Sequence, residues 1–191
     1  MADSAIKIPE GLFLPLTKLQ DLDISKNFLV DLSPGIFKNL KSLIKLDMSN
    51  NNLSTLDVDI FSDLKALQEL ILSQNNFQNL PSGILRNNIN LEAFELENNP
   101  TVIQDFPTDL FHNLKKLRTI SLRSAGINFE ETDKQDVFES RAMMFKDQGQ
   151  SLHSLILDEN NLNQIPDTIF KSLKRLSTLS LIDCNLSEIT M

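Results

Sequence analysis

Residue types that build disulfide and metal sites are scarce in this chain of 191 residues. It has one cysteine, two histidines, no tryptophan and no tyrosine. A single thiol cannot form an internal disulfide, and so few histidines and thiols do not supply the ligands of a zinc site. We therefore expect neither a disulfide framework nor a metal site. No apolar run approaches the roughly 20 residues of a membrane-spanning helix.

The motifs of common catalytic sites are also missing. The sequence contains no G-x-S-x-G, no P-loop and no dinucleotide-binding fingerprint. His153 stands next to Ser154 on a predicted strand. Adjacent strand residues point to opposite faces, so these two side chains are poor partners for nucleophilic catalysis. We expect no enzymatic activity and no cofactor.

The chain contains fewer basic than acidic residues. The formal net charge is -8 and the isoelectric point is near 4.7. This balance argues against nucleic acid or an anionic membrane as the main partner, because both carry dense negative charge. We therefore expect no nucleic-acid partner and no membrane contact by this segment itself.

Leucine, in contrast, recurs at a fixed spacing. The leading leucines are separated first by 24 positions and later by steps of 26, 35 and 24: Leu19, Leu43, Leu67, Leu91, Leu117, Leu152 and Leu176. Each begins the phrase L-x-x-L-x-L-x-x-N-x-L or a close variant. The alternation L-x-L has the period of a strand with one buried face. The side chains predicted to point inward include Leu22 and Ile24, Leu46 and Met48, Leu70 and Leu72, and Leu155 and Leu157.

An asparagine follows the strand phrase in most repeats, where the chain must turn among apolar neighbours. A buried amide can donate to backbone carbonyls of the adjacent repeat and accept from its own loop, so successive asparagines can form a hydrogen-bonded ladder. The predicted ladder residues are Asn27, Asn51, Asn75, Asn99 and Asn160. Cys184 takes the same position in the last repeat, where we expect a buried free thiol.

A second periodic position lies in the back half of each repeat. It is occupied by Phe13, Phe37, Phe61, Leu85, Phe111 and Phe170. Stacked side chains there are predicted to fill the space behind the strands, and each would contribute about 1.5–3 kcal/mol by burial. The twelve phenylalanines are therefore interpreted as core residues.

The 24-residue period with a phenylalanine in its back half resembles the typical leucine-rich repeat of animal extracellular proteins. Phrases such as LEAFELENNPTVIQDFPTDLFHNLKKLRTISL are most similar to the ectodomains of Toll and Toll-like receptors. The resemblance implies an α/β solenoid of horseshoe shape, with a parallel sheet on its concave side and irregular or 3-10 structure on its convex side. It also implies a protein-recognition module of an extracellular or cell-surface receptor, whose partner is a protein ligand or a partner receptor chain.

We expect residues 1–191 to form a single array of about seven repeats, because one repeat cannot bury its own apolar face without neighbours. The opening phrase IPEGLFLPLTK matches only the back half of a repeat, and another back half begins at Leu186. Partial repeats at both ends favour a segment of a longer chain, or a truncated gene model.

Residues 128–150 form an insertion that makes their repeat 11 positions longer than the regular one. The spacing of an amphipathic helix is found for Val137, Phe138, Arg141, Met144 and Phe145. Two interpretations stay open: a short helix covering the lateral or convex core, or a loop that binds a partner. If the second interpretation holds, we expect that replacing residues 130–147 by a short regular loop would leave the fold intact, because the neighbouring repeats supply the core contacts.

Side chains between the inward leucines form columns across the expected concave face. One column reads Asp23, Asp47, Ile71, Glu95, Ser121, Ile156 and Ser180, and the next reads Ser25, Ser49, Ser73, Glu97, Arg123, Asp158 and Ile182. Mixed charges with exposed aliphatic side chains suit a polar protein ligand, and charge pairing between strands is the alternative. The candidate ligand-binding residues are Glu92, Glu95, Glu97, Arg118, Arg123, Ile71 and Ile156.

Two N-x-[ST] sequons bear on the compartment of the protein. Asn52-Leu53-Ser54 and Asn185-Leu186-Ser187 predict N-linked glycans on Asn52 and Asn185 in an extracellular chain. The alternative is an intracellular leucine-rich repeat scaffold or adaptor in the cytoplasm, where both asparagines would stay bare.

Overall fold

A computed structural model describes residues 7–99, 106–129 and 135–186. Along these residues lie seven short strands: β1 (Asp21–Asp23), β2 (Lys45–Asp47), β3 (Glu69–Ile71), β4 (Ala93–Glu95), β5 (Thr119–Ser121), β6 (Ser154–Ile156) and β7 (Thr178–Ser180). Every neighbouring pair is parallel, and the order in the sheet is the order in the chain. The predicted solenoid with a parallel sheet is confirmed.

The middle residue of each strand points into the core. The strand register aligns these residues in one row: Leu22, Leu46, Leu70, Phe94, Ile120, Leu155 and Leu179. All are buried except Leu179, which lies in β7 at the sheet edge and is 42% exposed. The four inward pairs predicted from the L-x-L alternation are all buried, so that prediction is confirmed.

Turns form the back layer of the solenoid, opposite the sheet. The rings of Phe37 and Phe61 stack there with centroids 6.3 Å apart and planes inclined by 13°. Phe94 replaces the usual inward leucine in β4, and its ring meets Phe111 edge-on at 5.5 Å. Aromatic rings therefore join the sheet layer to the back layer, while Phe170 is only partly buried.

The amide of Asn51 connects its repeat to the one before. Its Nδ2 donates to the carbonyls of Ile24 and Met48, each at 3.0 Å. Its Oδ1 accepts the backbone N–H groups of Asn27 at 3.1 Å and Leu29 at 2.9 Å. We predicted that this oxygen would accept a hydrogen bond from its own loop, and that prediction is wrong. It accepts from the loop of the preceding repeat, where the described contacts include no other acceptor for these two N–H groups.

The hydrogen bonding of Asn51 recurs in other repeats, and it differs where another residue type occupies the asparagine position. Asn75, Asn99 and Asn160 are buried and donate to carbonyls 27 or 38 residues earlier. Asn27 was predicted to lie among apolar neighbours but is exposed. Its side-chain amide donates only to carbonyls of its own repeat. In the repeat that begins at Leu117, the buried Ala125 stands at this position, so that repeat has no amide to offer.

Cys184 takes the amide's place in the last repeat. Its side chain is 2% exposed, and its thiol donates to the carbonyl of Leu157 at a sulfur–oxygen distance of 3.2 Å. Burial raises the pKa of this thiol. A buried neutral thiol is a poor nucleophile, because the thiolate is the reactive form. The prediction of a buried free thiol is confirmed.

A left-handed backbone residue precedes the ladder position in every repeat, which the sequence did not predict. These residues have φ between 50° and 58°: Lys26, Asn50, Gln74, Asn98, Ser124, Glu159 and Asp183. Most residue types avoid this region because Cβ approaches the carbonyl oxygen. The backbone N–H of the left-handed residue donates to a carbonyl of the next repeat, as Asn50 N does to Ser73 O at 3.0 Å. This hydrogen bond stabilises the strained turn.

Among its described residues, the insertion contains a short helix and then re-enters the core. Helix α1 (Gln135–Ala142) is shorter than the predicted amphipathic helix, and a 3-10 helix follows at Lys146–Gln148. Met144 and Phe145 are 1% and 0% exposed, and the ring of Phe145 stacks on that of Phe111 at 5.8 Å. Phe145 is therefore the back-layer aromatic residue of its repeat.

The expectation that residues 130–147 are replaceable without harm to the fold is wrong. Their removal would delete Met144 and Phe145, and truncating such buried side chains costs about 2–5 kcal/mol each. Among the described residues before them, helix α1 lies at the periphery of the core. A segment thus combines a peripheral helix with two core residues, because the chain must re-enter the back layer before the next strand.

Asn75→Ala should lower the free energy of unfolding by about 1–3 kcal/mol, because it leaves the buried Leu53 N–H without its acceptor at 3.1 Å. The adjacent Asn76→Ala should change it by less than about 0.5 kcal/mol, since the Asn76 side chain is exposed. Urea melts of the two variants measure the difference. Equal losses would refute the structural role of the amide.

Gly149→Ala should destabilise the fold by about 1–3 kcal/mol through overpacking. A Cβ there would lie 2.6 Å from the carbonyl oxygen of Ser172, which is backbone and cannot rotate away. Gly35→Ala is the matched control, because its Cβ would meet only Glu10 Oε1 at 4.0 Å. Thermal melts showing the same Tm for both variants would contradict the close approach.

Candidate binding site on the open face of the sheet

One face of the sheet packs on the core, and we call the other the open face. The register of all seven strands aligns the first predicted column without a break, from Asp23 through Asp47, Ile71 and Glu95 onward. Because neighbouring strands lie about 4.8 Å apart, consecutive members of a column touch or nearly touch. The open face is thus a grid of side chains held by backbone hydrogen bonds.

The two aliphatic candidates are less accessible than predicted. Ile71 and Ile156 are half-buried, not exposed. Ile71 lies in register between Asp47 and Glu95, and the flanking side chains cover part of it. The aliphatic surface offered to a partner is therefore small and bordered by carboxylates.

The structure brings one predicted opposite-charge pair together directly. Arg118 Nε lies 3.3 Å from Glu92 Oε2, and both side chains are largely exposed. Such exposed pairs contribute little to stability, roughly 0–1 kcal/mol. Glu97 instead accepts a hydrogen bond from the hydroxyl of Ser121. Its backbone N–H donates to Ser73 Oγ at 3.0 Å.

Arg123 pairs with a residue that the sequence reasoning missed. Its Nε lies 3.0 Å from Glu159 Oε1, and a second guanidinium nitrogen binds the same oxygen. This hydrogen bond raises the pKa of Arg123, and the charge of Glu97 also acts on it. Glu159 occupies the left-handed column beside the two columns analysed. Its position, 36 residues after Arg123, was obscured by the insertion.

Glu95 is a half-buried carboxylate surrounded by negative charge. Burial is the main cause that raises its pKa, and the carboxylates of Glu97, Glu69 and Asp47 raise it further. Lys45 acts in the opposite direction, but its ammonium group lies 2.6 Å from Glu69 Oε1. No described side chain forms a hydrogen bond or ion pair with the Glu95 carboxylate. Lys45 and Glu69 were not among the predicted residues, because their column precedes the two examined.

The insertion borders a cavity of about 210 Å³. Its lining comprises Phe106, Thr108, Asn128, Phe129, Asp136, Val137, Ser140 and Arg141. The Arg141 guanidinium lies over the ring of Phe129, 5.0 Å from its centroid. This cation–π contact helps to fix α1 against the repeat that leads into the insertion. Residues 130–134 of the insertion lie outside the described part.

The two sequons differ in what the structure describes. Asn52 is exposed, with Leu53 buried behind it and Ser54 half-buried. Asn185 is exposed with φ of 51°, and the hydroxyl residue of its sequon, Ser187, lies outside the described residues. Asn52 is thus accessible to a modifying enzyme in the folded chain.

Metal-ligand clusters and membrane-spanning helices are both absent from the described residues. No group of three or more histidine, cysteine, aspartate or glutamate side chains is placed to hold a metal ion there. No helix in this part of the chain is long and apolar enough to cross a membrane.

Comparison with known proteins identifies the repeat. The profile of the family described as leucine rich repeat matches residues 17–77 and 65–127. A search of the curated proteins found no match.

Solved structures with a similar fold include two receptors. Toll, from the Toll–Spatzle complex of Drosophila, is 27% identical with a TM-score of 0.64, and the match covers 93% of this chain and 25% of that one. TLR13, from its complex with single-stranded RNA, is 25% identical with a TM-score of 0.66, covering 91% and 26%. The APL1 leucine-rich repeat domain, 19% identical with a TM-score of 0.65, covers 81% and 37% and shares the fold. The chain thus spans between 25% and 37% of the length of these relatives.

Glu95→Gln should stabilise the protein at pH 7, because it removes a charge that burial and neighbouring carboxylates disfavour. The folded pKa lies above the ordinary value of 4.5. The gain should therefore shrink as the pH falls through the raised pKa and vanish below 4.5, where Glu95 is protonated folded and unfolded.

Urea melts between pH 3 and pH 8 measure this gain, and exposed Asp167→Asn on a back half serves as the control. A loss of stability in Glu95→Gln at pH 7 would mean that the carboxylate is paired.

Proposed function

Because the chain belongs to the leucine-rich repeat family, we propose that it is a protein-recognition segment of a Toll-like receptor ectodomain. In this proposal residues 1–191 form one array of about seven repeats. The ligand is a protein, or a partner receptor chain, that binds the open face near β3 to β6 and the adjoining insertion. The protein is extracellular or at the cell surface, and it works by recognition without catalysis.

One observation carries the proposal: the open face holds a half-buried carboxylate, Glu95, that forms no ion pair or hydrogen bond with any described side chain. Asp47 and Glu95 flank Ile71 in register. A lysine or arginine side chain of a partner could pack its methylene groups on Ile71 and place its charge between the two carboxylates. Relief of the repulsion around Glu95 would then favour binding.

The rigidity of the sheet supports recognition in a second way. Each column position is fixed by backbone hydrogen bonds between repeats, such as Ile24 N to Asp47 O at 2.9 Å and Met48 N to Ile71 O at 2.9 Å. Side chains on a rigid frame lose little conformational entropy when a partner binds. An extended protein surface can therefore be bound through many small contacts.

Support for the receptor assignment comes from Toll, whose structure was solved as a complex with Spatzle. TLR13 was solved with single-stranded RNA, but the open face of this chain is acidic around β2 to β4. Polyanion binding depends on cationic side chains that displace counterions. The net charge of -8 consequently favours a protein ligand here.

Arg123→Ala should weaken binding of such a protein ligand at least fivefold, about 1 kcal/mol, and reduce the salt dependence of the association rate. Arg123 follows Glu97 in the second column and lies on the chain segment that leads into the insertion. Arg86→Ala is the matched control, because Arg86 is an equally exposed arginine, ion-paired with Asp59 on a back half. Surface plasmon resonance against ligands selected from secreted animal proteins measures both variants.

A second variant tests the insertion without harming the core. Replacement of residues 135–142 by a short loop keeps Met144 and Phe145 in place and should also weaken binding. A ligand whose affinity ignores Arg123 and this helix but responds to Arg86 would show that the open face is not the site.

A further inference from the structure

The interpretation of all twelve phenylalanines as core residues is wrong for Phe28, which lies on the surface of the described chain. Its side chain is 74% exposed, more than any other large hydrophobic side chain there. Its backbone has φ of 55°, a conformation that bulky residues rarely adopt. Exposure of an aromatic ring and a disfavoured backbone are both unfavourable in the isolated fold. Their coincidence suggests a role that the fold itself does not use.

The stacking of repeats sets Phe28 beside a sequon. Asn52 lies 24 residues later, at the equivalent position of the next repeat. The two loops are joined directly, because Asn52 N donates to Leu29 O at 2.7 Å and Leu29 N donates to Asn51 Oδ1 at 2.9 Å. Backbone segments of neighbouring repeats that are hydrogen-bonded side by side lie about 4.8 Å apart, as paired strands do, and a phenylalanine ring spans this distance.

Val30 extends the same apolar strip. It is 40% exposed and precedes Ser54, the hydroxyl residue of the sequon, by 24 positions. Leu29, between Phe28 and Val30, is 1% exposed, so the two outer side chains share the surface. Asn52 and Ser54 are therefore bordered on one side by an aromatic and an aliphatic group.

The second sequon has no such border. The positions 24 residues before Asn185 and Ser187 are Asn161 and Asn163, both polar. The apolar strip is consequently particular to Asn52 and does not follow from the repeat pattern alone.

We propose that Asn52 carries an N-linked glycan whose first N-acetylglucosamine packs against the ring of Phe28. The inference rests on the proposed extracellular location. Attachment forms a bond between Asn52 Nδ2 and the sugar C1. The bond from that C1 to the diphosphate of a lipid-linked oligosaccharide breaks, and the leaving diphosphate takes the electron pair while the amide gives up one proton. The C–H face of the sugar then covers part of the exposed ring, which reduces the apolar area in contact with water.

The test is a double-mutant cycle on the 191-residue chain, secreted from animal cells behind an added signal peptide. The four proteins are the unchanged chain, Phe28→Ala, Asn52→Gln and the double variant. All are trimmed by an endoglycosidase to a single N-acetylglucosamine. Mass spectrometry reports occupancy of Asn52, and thermal melts report Tm.

We expect Asn52 to be occupied and its sugar to raise Tm by about 1–3 °C, with most of the gain lost in the Phe28→Ala background. Ile89→Ala removes a comparably exposed side chain, 56% accessible, away from the sequon, and should leave the sugar's effect unchanged. An occupied Asn52 whose sugar shifts Tm equally with and without Phe28 overturns the contact but not the receptor assignment. A bare Asn52 in well-secreted protein overturns the inference and also removes one support for an extracellular location, while binding through Arg123 tests the receptor function separately.

Discussion

The buried asparagine amide is the interaction on which the rest of the structure depends. A strand of three residues has too few hydrogen bonds to hold a repeat by itself. The Asn51 amide donates to one carbonyl of the preceding repeat and to one of its own, and its oxygen accepts two N–H groups of the preceding repeat. Unpaired backbone groups in such a place would be costly. The amide therefore fixes the distance between repeats, and this distance defines the columns of the open face.

Where the amide is missing, the solenoid changes. Ala125 replaces it in the repeat that leads into the insertion, and Asn160 resumes the pattern by donating to Leu122 O at 2.7 Å across 38 residues. The longer loop is tolerated because Phe145 returns to the back layer and Gln148, fully buried, donates to Phe111 O at 2.7 Å. Core and peripheral roles are thus combined within one segment.

Much of the fold followed from periodic positions in the sequence. Inward pairs such as Leu46 and Met48 depend only on strand alternation, and their burial was predicted correctly. The column through Asp47, Ile71 and Glu95 followed in the same way. Predictions failed where they needed a partner from another repeat. Arg123 binds Glu159, Ile71 is partly covered, and Phe145, assigned to an amphipathic helix by its spacing, lies beyond the end of α1.

The sequence by itself determined the solenoid, the inward faces and the amide positions, because each is a local pattern repeated at a constant spacing. Only the tertiary structure decided which charges pair, which way the Asn51 oxygen points and how the insertion re-enters the core. These depend on distances between side chains from different repeats. Phe28 and Asn52 illustrate the difference: their 24-residue separation is visible in the sequence, but the exposure and the left-handed backbone of Phe28 are visible only in the structure.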